Sequence, residues 1–271
     1  MSWLDPVCHV LDNAAGPVTL FFRDDDGGWD DDRLFRLLDI FETASIPVDL
    51  ALIPAEVSDN LARRLNDRLR SSAGRIRVHQ HGYRHTNHES TGKKCEFGPT
   101  RGTADQAQDL RAGQRRLVEV FPDFYDPIFT PPWNRCTQTT VDILTVSDHQ
   151  ALSRNVGARQ LRLGGLSEIP VCVDWCGWQK HPDGQDRISQ AIAARAAARL
   201  PIGLMLHHAV MRSGARDDVA ALLEFLSDHP KARCVPMRSL IARRNADRPA
   251  SSAQKPNRLD AAHPEMLEKP A

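Results

Sequence analysis

The sequence predicts an α/β fold, a (β/α) barrel of about seven strands, and three observations carry that expectation. Apolar β-rich runs alternate with amphipathic helical runs, the pattern of parallel strands joined by crossover helices. The number of strand-like runs fits a barrel better than an open doubly wound sheet, the other arrangement such alternation allows. No glycine-rich phosphate loop follows the first strand, where "DDDGGW" (24–29) offers acids in place of the backbone amides that hold phosphate.

The elements follow in order. "VTLFF" (18–22) is a strand, and "DDRLFRLLDIFETA" (31–44) is a helix with apolar residues at helical spacing. Strand "VDLALI" (48–53) precedes helix "SDNLARRLNDRLRSS" (58–72), for which Ser58 is the expected N-cap. "RIRVHQ" (75–80) is the third strand, and the polar stretch 82–101 reads as a long loop. Helix 104–121 comes next, then "PIFTPPWN" (127–134), where prolines end a short strand. Helix 137–149 leads to strand "ALSR" (151–154) and the extended run "SEIPVCVDW" (167–175). An alanine-rich helix (186–200), strand "IGLMLHH" (202–208), helix 216–229 and the extended "ARCVPM" (232–237) complete the pattern. Residues 1–244 read as one catalytic domain, and 245–271, rich in Pro, Ala and charge, as a disordered tail.

Composition narrows the function classes. Of 271 residues 41% are hydrophobic, enough for a sizeable core. Thirty-five basic residues balance thirty-five acidic ones, so no global field draws the chain to nucleic acid or an anionic membrane. No apolar run approaches the ~20 residues of a membrane span. The N-terminus lacks the basic start and apolar stretch of a signal peptide. With six scattered cysteines, the expectation is a cytoplasmic protein with reduced thiols. Oligomeric state is not legible.

The chemistry gathers at the C-terminal ends of strands, where barrel active sites lie. "FRDDDGGWDDD" (22–32) holds six aspartates in eleven residues, and adjacent like charges repel unless something uses them. The third strand ends in "HQHGYRHTNHE", with His79, His81, His85 and His88, and the seventh in "LHHAV", with His207 and His208. Each cluster alone has a bland explanation: Asp30 and Asp31 suit a helix N-terminus, and loop histidines are often surface groups. Together at equivalent strand ends they make a divalent metal site, whose mixed imidazole and carboxylate donors suit zinc, iron, cobalt or nickel. Strict alternation puts Asp24 and Asp26 on one face of the first strand and Asp25 on the other, so it does not choose among the acids.

These motifs, in order from about Val18 to Pro236, resemble the polysaccharide deacetylase superfamily, metal-dependent carbohydrate esterases with a distorted (β/α)7 barrel. Asp25-Asp26-Gly27 matches the family's first motif, which implies Asp25 as catalytic base and Asp26 as metal ligand. His81 and His85 in "HGYRH" match its histidine pair, with Gly82 where Ser or Thr usually stands. "TPPWN" corresponds to the third motif, with Thr130 in place of the arginine that usually partners the base. "VDWCGW" corresponds to the fourth, and Leu206-His207 to the fifth, with His208 where an acid often follows. The resemblance implies one divalent metal, zinc foremost, on Asp26, His81 and His85, and His207 as general acid. His79 and His88 are the nearest alternative ligands, and His79, two residues before His81 on the same strand face, is also a candidate support behind the metal. Trp133, Trp175 and Tyr83 are expected to contact substrate, with a backbone N–H near Trp133 as oxyanion donor. The implied reaction removes an acetyl or other acyl group from an N-acetylated sugar or related amide. Hydrolysis of another C–N bond, in a cyclic ureide or imide, and a non-catalytic metal- or carbohydrate-binding module are the alternatives. Neither nucleic acid nor membrane is an expected partner.

Overall fold

A computed structural model describes residues 2–241 of the chain. The tail expected from residue 245 lies outside the described residues. The strands are β1 (Val18–Gly27), β2 (Val48–Leu52), β3 (Ile76–His81), β4 (Tyr125–Thr130), β5 (Ala151–Leu152), β6 (Ser167–Glu168), β7 (Val173–Asp174), β8 (Ile202–Leu206) and β9 (Ala232–Cys234). The helices are α1 (Asp5–Asp12), α2 (Asp31–Thr43), α3 (Asp59–Ser71), α4 (Thr103–Val120), α5 (Gln138–Thr145), α6 (Trp175–Trp178), α7 (Gly184–Ala197) and α8 (Ser213–Asp228). Ser58 caps α3, its side chain accepting from the Leu61 amide. Periodicity does not announce α1, where Pro6 stands in the first turn and Val7 and Leu11 are buried four residues apart.

All pairings are parallel, in the order β6-β5-β4-β3-β2-β1-β8-β7. The run 167–174 closes the barrel. Its first residues pair with β5, the amides of Ile169 and Val171 bond to the carbonyls of Leu152 and Arg154, and Cys172 onward turns to β8. Counting that run once with β1–β5 and β8 gives the seven staves of a distorted (β/α)7 barrel.

Alternation along the strands sorts the core. Leu20, Phe22, Leu50, Val78 and Leu204 point outward beneath the helices, in a cluster with Leu34, Leu38, Leu65 and Leu223. Phe21 and Met205 point inward with Ile128 and Ala151, where Val235, Met237, Leu240 and Ile241 close the N-terminal end of the barrel.

Polar groups share that interior. Arg23, Asp49 and Arg77 sit in register on β1, β2 and β3, and Arg77 is forked onto Asp126. Asp49 accepts one hydrogen bond, from the Met237 amide at 2.9 Å, and its Oδ1 has no partner. Burial pushes its carboxyl up to about 8 against the pull of the Met237 amide, so it is neutral in the folded protein near pH 7. A carboxyl raised on folding supports the fold fully below its unfolded value of 3.8, and that support is lost as pH rises through about 8. Asp49→Asn removes the linkage. The variant is expected to be more stable than the parent at pH 8 by on the order of a few kcal/mol. The gap should close towards pH 4, as measured by urea unfolding at both pH values; a gap independent of pH would exclude a neutral Asp49.

Candidate metal centre and active site

Four consecutive residues of β1 have separate destinations, and the backbone decides them. Arg23 and Asp25 face the barrel interior and Asp24 faces away, as alternation requires. Asp26 departs from it. The β1–β2 register slips between Asp24 and Gly27, and Asp26 adopts a left-handed φ of 65°. This bulge re-aims Asp26 from the outer face into the mouth of the barrel. Gly27 follows because an added Cβ would lie 2.3 Å from Leu52 Cδ2.

At the mouth Asp26 meets His81 and His85. Its Oδ1 is 3.2 Å from Nε2 of each, and one ligand atom from each residue lies within 4.8 Å of the others. His81 Nδ1 donates to the Thr130 carbonyl at 3.0 Å, which leaves Nε2 as the atom facing Asp26. An anchored imidazole with its other nitrogen directed at a carboxylate is the arrangement metal-ligating histidines adopt, so the donor set fits a divalent cation. Burial raises the Asp26 carboxyl, but the hydrogen bond from His81 and the surrounding imidazoles hold it far below the ordinary range. Burial opposes protonation of His81, yet Asp26 and Asp25 raise it; burial and the His81 charge push His85 down to about 4. A cation binding here therefore displaces the His81 proton.

The loop that carries His85 is tied from below. Glu96 is fully buried, and its carboxylate accepts the backbone amides of Tyr83 and Arg84, the latter at 2.8 Å. This explains the glycine in "HGYRH". Gly82 has φ +58°, and a Cβ there would lie 2.1 Å from Glu96 Oε2 and 2.5 Å from Pro132 Cγ. His85, itself at φ 55°, is flanked by Trp29 and Trp133, with ring centroids 4.7 and 4.5 Å away. Glu96→Gln is expected to weaken binding of a divalent cation at the cluster about tenfold, the low end for groups that support metal ligands. Competition with a chromophoric chelator reads this directly, and unchanged affinity would remove Glu96 from the site.

The arginine missing at Thr130 comes from β1 itself. Arg23 forks onto Asp25, Nε to Oδ1 and Nη2 to Oδ2, both at 2.8 Å. Its guanidinium also donates to Ser153 Oγ at 2.7 Å and Asn134 Oδ1 at 2.9 Å. Both partners of the ion pair are buried, so the geometry is fixed. Across the mouth, His207 Nε2 is 4.0 Å from Asp25 Oδ2.

The third aspartate is explained by His208. Asp24 accepts the His208 amide at 3.0 Å and Nδ1 at 2.6 Å, and Nε2 donates to the Trp29 carbonyl at 2.6 Å. The acid expected after His207 is thus supplied across the sheet.

Other expected positions are corrected or refined. Trp175 is wholly buried, its indole N–H bonded to the Ala215 carbonyl and its ring edge-on to Trp3, so it belongs to the core and does not reach a substrate. Tyr83 is half-buried, with the Arg84 guanidinium 4.9 Å above its ring. His79 bonds Thr130 Oγ1 at 2.9 Å, behind the residue that anchors His81, and is not a ligand. Exposed His88 is outside the cluster. Arg23, Glu96 and Asn134 escaped sequence reasoning. Arg23, two residues before Asp25 on a barrel strand, carried a readable signal; Glu96, in a polar loop, carried none.

No family model matches the chain, and no curated protein matches its sequence. Solved structures do. A Mycobacterium smegmatis structure assigned as a polysaccharide deacetylase superposes with a TM-score of 0.61 at 16% identity, covering 90% of this chain and 99% of its own. A family 4 acetyl xylan esterase from Clostridium thermocellum, in complex with cobalt, gives 0.53 at 14% identity over 84% of this chain and 92% of its own. A mutant of a family 4 carbohydrate esterase pseudoenzyme with restored activity gives 0.54 at 14%, over 83% and 68%.

Proposed function

Starting from the polysaccharide deacetylase fold that this chain has, we propose that it is a metal-dependent hydrolase that removes an acetyl or other acyl group from an N-acetylated sugar or related amide. One observation carries the reading: Asp25 and His207 face each other 4.0 Å apart beside the cluster of Asp26, His81 and His85. A binding module needs neither of the pair. A divalent cation on those three ligands, for which we propose zinc, supplies Lewis acidity towards an acyl carbonyl and water.

The chain's own residues divide the remaining work. Asp25 accepts the proton of the attacking water, and the Arg23 fork holds its carboxylate in place. The backbone N–H of Trp133, in the turn whose ring lies against His85, donates to the developing oxyanion. His207, half-buried at the mouth, gives a proton to the leaving amine. The Trp133 ring, and on the loop edge Tyr83, offer apolar surface to a sugar face. A cytoplasmic setting with a small or soluble substrate belongs to the same reading, which the six unpaired thiols support.

The test is elemental analysis of the purified protein followed by acetate release from N-acetylglucosamine oligomers. A single equivalent of zinc, with acetate release abolished by chelation and restored by zinc, is the expected result. Protein without a tightly held cation, and without acetate release under zinc-replete conditions, would sink the proposal.

A further inference from the structure

A groove of about 810 Å³ opens beside the cluster and runs from Trp133 and Asn134 across the closing seam of the barrel to the loop at 154–159. Its charges are not balanced. Two acids stand on its wall, held by neutral donors: Glu89 accepts the hydroxyl of Thr100, and Asp174 accepts the Gly177 amide at 2.9 Å. Arg154 is likewise committed, to Glu168. Lys93, Arg135 and Arg159 also line the groove, and among the described residues none of them forms an ion pair. Three cations without an ion pair against those two acids leave the groove a small positive excess next to the site, in a chain of zero formal net charge.

Arg135 is a placed group rather than a waving one. It is half-buried, and its Nη1 donates to the Lys94 carbonyl at 2.9 Å. It follows two left-handed residues, Trp133 at φ 55° and Asn134 at φ 58°, a strained turn of the kind kept at functional sites. Trp133 touches His85, and Asn134 accepts from the Arg23 that holds Asp25. Asn134 alone separates Trp133 from Arg135, so the Arg135 side chain starts beside the turn that touches His85. A planar guanidinium with donors left over beside that turn is suited to a carboxylate.

Resting on the deacylase reading above, we propose that this groove selects substrates carrying a carboxylate on the sugar residue that bears the N-acyl group or on its neighbour, with Arg135 and Arg159 as the specificity-determining residues. The groove then discriminates by charge, while the cluster and Asp25 act on the acyl group.

The test uses two sugars that differ only in charge, N-acetylglucosamine and its C6-carboxylate counterpart, with the zinc-loaded full chain. The expected result is a kcat/KM at least about tenfold higher for the uronate, the worth of one charge-assisted contact. The advantage should shrink with added salt. In the double variant R135A/R159A it should be lost, with the uronate losing far more than the neutral sugar. Equal rates on the two sugars in the parent protein, or equal losses on both in the variant, would overturn the proposal. If neither sugar releases acetate, the deacylase reading fails by itself, and calorimetry still decides the groove. Uronate binding to the zinc-loaded chain that disappears in R135A/R159A supports the groove; equal or absent binding of the two sugars overturns it.

Discussion

Asp25→Asn is expected to leave the metal content unchanged and to lower turnover by about 10²–10⁴, the usual cost of losing a general base. The amide fills nearly the same volume and keeps one arm of the Arg23 fork, but it cannot take a proton from water; because the buried ion pair is lost, turnover is compared well below the variant's melting temperature. Asp26→Asn should have the opposite pattern. Its Oδ1 lies 3.2 Å from both histidine Nε2 atoms, so the change strips a charged ligand and metal affinity falls first. Elemental analysis beside steady-state kinetics separates the two. If both variants lose metal equally, the assignment of base and ligand is wrong. His207→Ala completes the set: it should slow amide cleavage more than cleavage of an activated ester, whose leaving group needs no proton. Equal losses would remove His207 from the general-acid role.

A second large effect is expected away from the chemistry. Asp24→Asn should destabilise the protein by about 3–5 kcal/mol at neutral pH, because removing one partner of a buried pair strands the other. Both ring nitrogens of His208 face acceptors, Asp24 Oδ2 and the Trp29 carbonyl, so the ring is an imidazolium. Burial works against that charge, but the Asp24 carboxylate and the Trp29 carbonyl raise it to about 9. A histidine raised on folding contributes its full stabilisation below the unfolded value of 6.5 and loses it as pH rises through about 9. The stability gap between parent and variant should therefore be widest near pH 6 and narrow by pH 9.5. Denaturant unfolding at the two pH values reads it, and a gap constant across that range would mean His208 is neutral.

Much of this was legible in the sequence. The alternation of periods gave the barrel because each strand's apolar residues must pack beneath helices that carry their own apolar stripe. Acids and histidines meeting at one rim were legible from the residues, and the choice of Asp26, His81 and His85 among them rested on the resemblance of their motifs to a known family. The division of labour within "RDDD" was not. Alternation groups Asp24 with Asp26, and only the bulge with its left-handed residue separates them; a backbone slip of that kind leaves no mark in side-chain period. Trp175 was misplaced because an aromatic at a strand end is equally suited to a rim or a core, and its partners, Trp3 and the Ala215 carbonyl, are remote in sequence. Glu96 could not be found for the same reason: its contacts depend on a loop path that propensity does not encode.

Because Arg23, Asp24, Asp25 and Asp26 serve four different neighbours from one uninterrupted strand, β1 is unusually sensitive to changes in length. A substitution there alters one function. A single-codon insertion or deletion between Leu20 and Arg23 would turn all four to the wrong face, taking away the Arg23–Asp25 fork, the His208 lock and the Asp26 contact with His81 and His85 together. The same compactness makes the set portable. Asp25 and its counter-ion stand on one strand, so recombination that exchanges the turn after β4 would keep the Arg23–Asp25 fork and lose only the Asn134 bond, whereas a crossover inside β1 would disrupt the fork itself.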